Sequence, residues 1–243
     1  MDFSVKDLMT GARPQPQTIE SPFRSTRSSP EERDRKRAAL LLAAVRMFNE
    51  RGFHATSLDD VAASLGITKP VIYHHLGNKD RVLFECLAMG LRELQDAAAM
   101  ADHDKGDGLE RLRLFLRRYA EVIMGEFGRC VIRTGEELLS PATREELREM
   151  KREIDAALRR MITEAVADGS ARAGDERVAA FAIAGALNWT ARWFDPEGPE
   201  SASDMADALV ATLIAGLAGP GSAAPGSIAG GQARQSQGDG ERL

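Results

Sequence analysis

The chain has 243 residues, 43% hydrophobic and 28% charged, an ordinary globular composition that excludes wholesale disorder and allows one or two compact units. The net charge of −5 averages two unlike regions: Arg24 to Arg81 holds 11 basic against 7 acidic residues, and the remainder holds 21 against 30. A basic N-terminal quarter on an acidic body points to one region that meets a polyanion and another that does not. No apolar run approaches the ~20 residues that span a bilayer, and Met1–Ser29 has no apolar signal segment. No membrane partner and a cytoplasmic location are therefore expected. Cys86 and Cys130 stand apart, with no Cys or His at metal-ligand spacing, so neither a disulfide scaffold nor a metal or other cofactor is expected.

Aromatics make up only 5% while Ala, Leu, Glu and Arg abound, a bias toward helix over sheet. Residues 1–29 lack periodicity and read as a flexible arm. Ser29-Pro30-Glu31-Glu32 is a capping box with proline at the first helical position, and the helix it opens runs to Gly52 with Leu40, Leu41, Ala44, Met47 and Phe48 on one stripe. Ser57 caps a short second helix, with Asp60 returning the bond, and Thr68 caps a third after the break at Gly66. Longer helices follow from Lys79 to Ala101 and from Leu109 to Phe127, then a short segment over Cys130–Leu139. Ser140-Pro141 starts a helix that ends at Gly169, Asp175 one that ends at Phe194, and Ser201 or Ser203 the last. Residues 219–243, rich in Gly, Ala, Ser, Pro and Gln, read as a disordered tail. The expectation is an all-α chain of nine helices: a three-helix unit over residues 30–77 and a six-helix bundle over 78–218.

Two short helices joined by a tight glycine turn, with a small residue where they cross, describe a helix-turn-helix. Ala62 takes the crossing, Gly66 the turn, and Val61, Leu65, Ile67 and Ile72 the small core. Ile72 and Leu76 point inward, so Pro70, Val71 and His74 occupy the outer arc with Lys69 and Tyr73 at its flanks. Such a face suits a major groove: cation to phosphate or guanine, Val and Pro to thymine methyls, Tyr and His to phosphate or base edges. Lys79 opens the next helix against its dipole, which makes sense beside a phosphate. Ser57, Thr68, Lys69, Pro70, Val71, Tyr73, His74, His75 and Lys79 are the candidate contacts to double-stranded DNA.

At these residues the chain resembles the TetR family of transcriptional repressors. The resemblance runs from Arg37 to Leu83 through Arg51-Gly52-Phe53, Thr56-Ser57-Leu58, Asp60-Val61-Ala62, Leu65-Gly66-Ile67, Tyr73-His74-His75-Leu76 and Asn78-Lys79-Asp80, about one fifth of the chain. It departs at Leu76, where the family usually has a bulky aromatic. The resemblance implies that the helix over Thr68–Leu76 reads the major groove and that Lys79 meets phosphate. It also implies a C-terminal bundle that dimerises and encloses a small-molecule effector. Ala186-Leu187-Asn188-Trp189 through Arg192-Trp193-Phe194 is similar to the branch responding to acyl-coenzyme A thioesters.

Tyr119, Met124, Arg133, Asn188, Trp189 and Arg192 are the candidate effector contacts, with Arg117, Arg118, Arg129 and Arg133 as cations for a coenzyme's phosphates. The plainer reading pairs these arginines with Glu121, Glu126, Glu136 and Glu137. Trp189 and Trp193, one turn apart, are read first as core filler. The small Ala180, Ala184, Ala206, Ala211, Ala215 and Gly216 of the last two helices are read as the dimer seam. An enzyme is disfavoured because no nucleophile–base set, phosphate loop or metal cluster is present. A helical adaptor that binds only protein is the alternative; it would leave the basic helix-turn-helix unexplained.

Overall fold

Helix starts are set by short side chains and by proline. In the computed structural model, which describes residues 30–215, α1 spans Pro30–Arg51, α2 Leu58–Ser64, α3 Lys69–Leu76, α4 Lys79–Asp102 and α5 Gly108–Met124. They are followed by α6 at Glu126–Arg133, a 3-10 turn at Glu136–Leu138, α7 at Pro141–Ala167, α8 at Glu176–Trp193 and α9 at Ala202–Ala215. The described residues are all-α, as expected. The arm, Ser29, Gly216 and the tail lie outside them.

Asp107 and Glu110 form a reciprocal capping box at α5, and Asp175 accepts from the N–H groups of Arg177 and Val178 at α8. At α9 the choice falls on Ser201, whose hydroxyl accepts from Asp204 N–H at 3.1 Å; Ser203 instead receives Arg117. Thr68 and Ser140 precede their helices without a side-chain cap bond, contrary to the expectation, since Pro70 and Pro141 in the first turns leave fewer N–H groups to satisfy.

The break after α5 falls earlier than the apolar stripe predicts. Gly125 ends the helix with its N–H on the carbonyls of Glu121 and Val122, and α6 starts at once. Gly128 explains why the chain can turn so sharply: a Cβ there would lie 2.0 Å from the Val122 carbonyl oxygen.

Helix α5 is the hub, packing against α4, α6, α7, α8 and α9 and burying Phe115, Leu116 and Ile123 completely. Helix α4 runs from the helix-turn-helix into this bundle, and one apolar core joins both ends. In the small unit Leu40, Val61 and Ile72 are fully buried. Truncating Ile72 to Ala would cost about 2–5 kcal/mol.

Helix α8 overturns the reading of the tryptophans. Ala180, Leu187 and Ala191 face the core, whereas Val178 is 61% exposed, Trp189 65% and Trp193 46%. This helix is apolar on both faces, and the described residues cover only one of them. The small-residue seam divides likewise: Ala180 and Ala206 are buried inside the protomer, and Ala211 and Ala215 remain exposed.

Candidate DNA interface and effector cavity

Ser57 and Asp60 fix the start of α2: Asp60 N–H donates to Ser57 Oγ at 3.0 Å, and Asp60 Oδ2 accepts from Ser57 N–H at 3.1 Å. The Ser57 hydroxyl, which also donates to Oδ2 at 2.6 Å, and then the Ser57 N–H hold the Asp60 carboxyl below its usual range. Thr56 is buried and donates to the carbonyls of Met47 and Gly52, tying the entry of α2 to α1. Gly66, at φ +64, makes the turn that a side chain would strain.

Helix α3 then presents Thr68, Lys69, Pro70, Tyr73 and His74 to solvent, with Val71 and His75 half-buried and Ile72 and Leu76 inside. Leu76 fills its buried position despite being smaller than an aromatic. Lys69 is not idle: its Nζ lies 2.8 Å from Asp59 Oδ2 and 5.7 Å from the Tyr73 ring centroid. Lys79 sits 4.1 Å over the Phe53 ring, where burial lowers its pKa. The ring positions the ammonium without neutralising it.

An ion cluster centred on one buried carboxylate behind α3 escaped the sequence reading. Glu85, 6% exposed, takes Arg37 at 3.1 Å and Arg81 at 2.6 Å on one oxygen, and Arg92 at 3.6 Å on the other. Arg37 also donates to the His75 carbonyl at 3.1 Å, so it links the end of α3 to α4. The only hint was a lone acid within the apolar run Val82–Ala88. A second link ties α4 to the bundle: Asp80 accepts Ser140 N–H at 2.7 Å and the Thr143 hydroxyl at 3.3 Å, at the start of α7.

Within the bundle a cavity of about 340 Å³ lies between α4, α5, α6, α7 and α8. Leu91, Leu94, Ile123, Ile154 and Leu158 give it apolar walls, and Tyr119, Asn188, Lys151 and Asp155 its polar groups. The Tyr119 hydroxyl donates to Asn188 Oδ1 at 3.1 Å. Phe181 lines the cavity while 56% exposed, which marks the mouth, and Arg159 and Arg177 stack on its ring at 5.2 and 5.8 Å.

Two of the six expected effector contacts, Tyr119 and Asn188, therefore meet in one cavity. Met124 is buried elsewhere, Arg133 and Trp189 face solvent, and Arg192 is exposed with a bond to the Ile132 carbonyl. The expected arginine rim does not form at this cavity. Arg117 pairs with Glu121 and Asp207, and Arg118 with Glu121. Glu136 pairs with Arg148 and Lys151 rather than with those arginines. The cations at the mouth are Lys151 and Arg159 of α7, a helix whose charges alternate along its length and mark no site, and Arg177 of α8, which joins them only once the two helices pack.

Residues 40–86 match the bacterial regulatory proteins, tetR family, and residues 105–217 match a tetracyclin repressor-like C-terminal domain. The crystal structure of PfmR from Thermus thermophilus, a TetR family transcriptional regulator, is 32% identical with a TM-score of 0.68, covering 74% of this chain and 98% of that one. The chain belongs to the TetR family. It is a DNA-binding transcription regulator and not an enzyme, and the adaptor reading gives way. Among other relatives, the HTH-type transcriptional repressor KstR2 of Mycolicibacterium smegmatis is 28% identical over 188 residues, 75% of this chain and 90% of the relative. AibR, crystallised with isovaleryl coenzyme A and operator DNA, is 27% identical with a TM-score of 0.64, covering 73% of this chain and 97% of its own. No helix of this TetR-family chain, among the described residues, is long and apolar enough to cross a membrane.

Proposed function

We propose that this TetR-family regulator is a cytoplasmic homodimeric repressor that grips a palindromic operator and releases it when an acyl-coenzyme A thioester enters the bundle. The observation that carries this reading is the placement of the cavity. Its wall includes Leu91 and Leu94 of α4, and the same helix starts at Lys79 beside the groove-facing α3. A ligand that tilts α4 moves Lys79 directly and α3 through the Arg37 bridge between Glu85 and the His75 carbonyl. The uncovered α8 face supplies a dimer surface, and Gly185, which faces open space there, lets a second helix approach closely because it has no side chain. Two α3 helices then enter successive major grooves about 34–36 Å apart.

Release requires the effector to bind the non-gripping conformer more tightly, since equal affinity shifts nothing. A thioester fits the cavity's chemistry: apolar walls for the acyl chain and Arg159 and Arg177 at the mouth for phosphates. AibR, bound to isovaleryl coenzyme A, gives this class its precedent within the fold. The test is a panel of acyl-coenzyme A thioesters, free fatty acids and aromatic acids, scored by release of the protein from its operator. A thioester is expected to release DNA where its free acid does not. Release by an aromatic acid and by no thioester would leave only a generic ligand-responsive repressor.

A further inference from the structure

We propose that Tyr119 and Asn188 form a carbonyl-reading pair, and that the cavity selects a compact, neutral apolar carbonyl compound, such as a short acyl thioester, over long chains and free acids. This rests on the cavity being the effector site, and it adds which group is read, by which atom, and at what size.

Orientation comes first. Tyr119 projects from α5, buried, with its ring edge-on to Phe115 at 5.7 Å. Burial pushes its phenol up to about 12, so it keeps its proton and remains a donor. That donor is committed to Asn188 Oδ1 at 3.1 Å. An asparagine whose oxygen is fixed in this way has its NH2 group turned the other way, with two N–H bonds to place. Among the described residues no hydrogen bond holds that Nδ2. That donor is open to water, so a ligand that displaces the water must bring an acceptor of its own, because leaving the donor unmet costs more than the bond returns.

The acceptor's charge is decided by the neighbours. Lys151 and Asp155 line the cavity one helical turn apart, and their charges oppose. Lys151 is already drawn to Glu136 at 3.5 Å and Asp155 to Arg159 at 2.9 Å. Asp155 also lies close enough to Tyr119 to raise its pKa, so a ligand carboxylate beside Asn188 would face a like charge. A neutral carbonyl oxygen meets no such repulsion.

Size follows from the 340 Å³. That is near the small end of the ~300–1,000 Å³ that ligand pockets span. It suits a hexanoyl thioester head of about eight non-hydrogen atoms better than a palmitoyl one of about eighteen, with the coenzyme outside, at the mouth by Phe181.

Calorimetric titration of the full-length protein tests this, with two matched pairs. Hexanoyl-coenzyme A is set against its S-hexyl thioether, which lacks only the carbonyl oxygen, and 2-octanone against 2-octanol, which carries no coenzyme. The wild type is expected to prefer the carbonyl member of each pair by about tenfold, and to bind palmitoyl-coenzyme A, below its micelle concentration, at least tenfold more weakly than the hexanoyl thioester. Asn188→Leu should erase the preference. Tyr119→Phe, which keeps the ring, frees the amide to turn and should bring ketone and alcohol close to equal while binding of the apolar body persists, an effect that loss of packing alone would not produce. Equal affinity for thioester and thioether in the wild type, full preference retained in both variants, or equal binding of hexanoyl and palmitoyl thioesters overturns the proposal without touching the acyl-coenzyme A effector. Ketone selectivity that depends on Asn188, with no thioester bound, supports the carbonyl reader and overturns the thioester instead. No binding of any probe overturns both.

Discussion

Among the described residues two faces stand uncovered, the outer sides of α3 and α8, and they are chemical opposites. The outer side of α3 is polar and cationic at its edges, with Lys69, Tyr73 and His74 exposed and Lys79 held on Phe53. The outer side of α8 is apolar, with Val178, Trp189 and Trp193 exposed. The first waits for a polyanion, whose phosphates replace water around the cations. The second gains free energy only by leaving water against another apolar surface. One chain thus carries a surface for DNA and a surface that the proposed dimer would cover, and a common apolar core joins the elements that bear them.

The comparison breaks first at α8. Trp189→Glu places an unpaired charge at the centre of the proposed dimer face, so sedimentation is expected to show a dimer for the wild type and monomers for the variant. Because a dimer holds both half-sites at once, operator affinity should fall by about a hundredfold or more while far-UV circular dichroism stays unchanged. A dimeric Trp189→Glu protein of unchanged affinity would assign the seam to another face.

At α3 the effects are smaller and depend on salt. Lys79→Ala should weaken binding on all sequences alike and flatten the salt slope by about one, the mark of one lost phosphate contact. Lys79→Arg, which can still lie over Phe53, should retain most of the affinity. Isotherms at several salt concentrations separate these outcomes, and an unchanged slope in Lys79→Ala would place the phosphate elsewhere.

Lys69 sharpens the point further, because in free protein its charge is shared with Asp59. Asp59→Asn should release it and remove a like charge from the approach of DNA, strengthening binding by about threefold and steepening the salt dependence. Weaker binding would show that the ion pair positions Lys69 rather than restraining it.

The two faces also differ in how far the sequence disclosed them. The helix-turn-helix is written in local signals that each have one meaning: the Ser57–Asp60 box, the turn at Gly66, and the alternation that buries Ile72 and Leu76. Tertiary packing adds little there beyond the Arg37–Glu85 link. In the bundle the same kind of signal is ambiguous. Apolar residues occur on both sides of α8, and periodicity alone does not say which side a protomer keeps for itself. The α5–α6 break depends on Gly128 meeting the Val122 carbonyl, a close approach that no propensity encodes. Tyr119 and Asn188 were identifiable as polar groups on apolar stripes, whereas the cations at the mouth gather only once α7 and α8 pack together.

The smallest effect concerns His75, which stands between the two roles of α3, half turned inward beside His74 at 5.3 Å. Burial lowers its pKa from 6.5, helped by the nearby charges of His74, Lys36 and Arg37. The folded chain therefore binds this proton less readily than the unfolded chain, so stability rises with pH across the gap between the two values. The contribution is complete above the unfolded value of 6.5 and is lost as pH falls through the lower folded value. His75→Gln removes the titration and keeps a polar side chain of similar reach. Between about pH 7.5 and about pH 5.5 the denaturation midpoint of the wild type should fall more than that of the variant. Equal falls would place the titrating group elsewhere. If operator affinity also drops in His75→Gln, and drops most at low pH where the wild-type imidazole is charged, the ring meets phosphate as well as the core and belongs to the DNA-binding face.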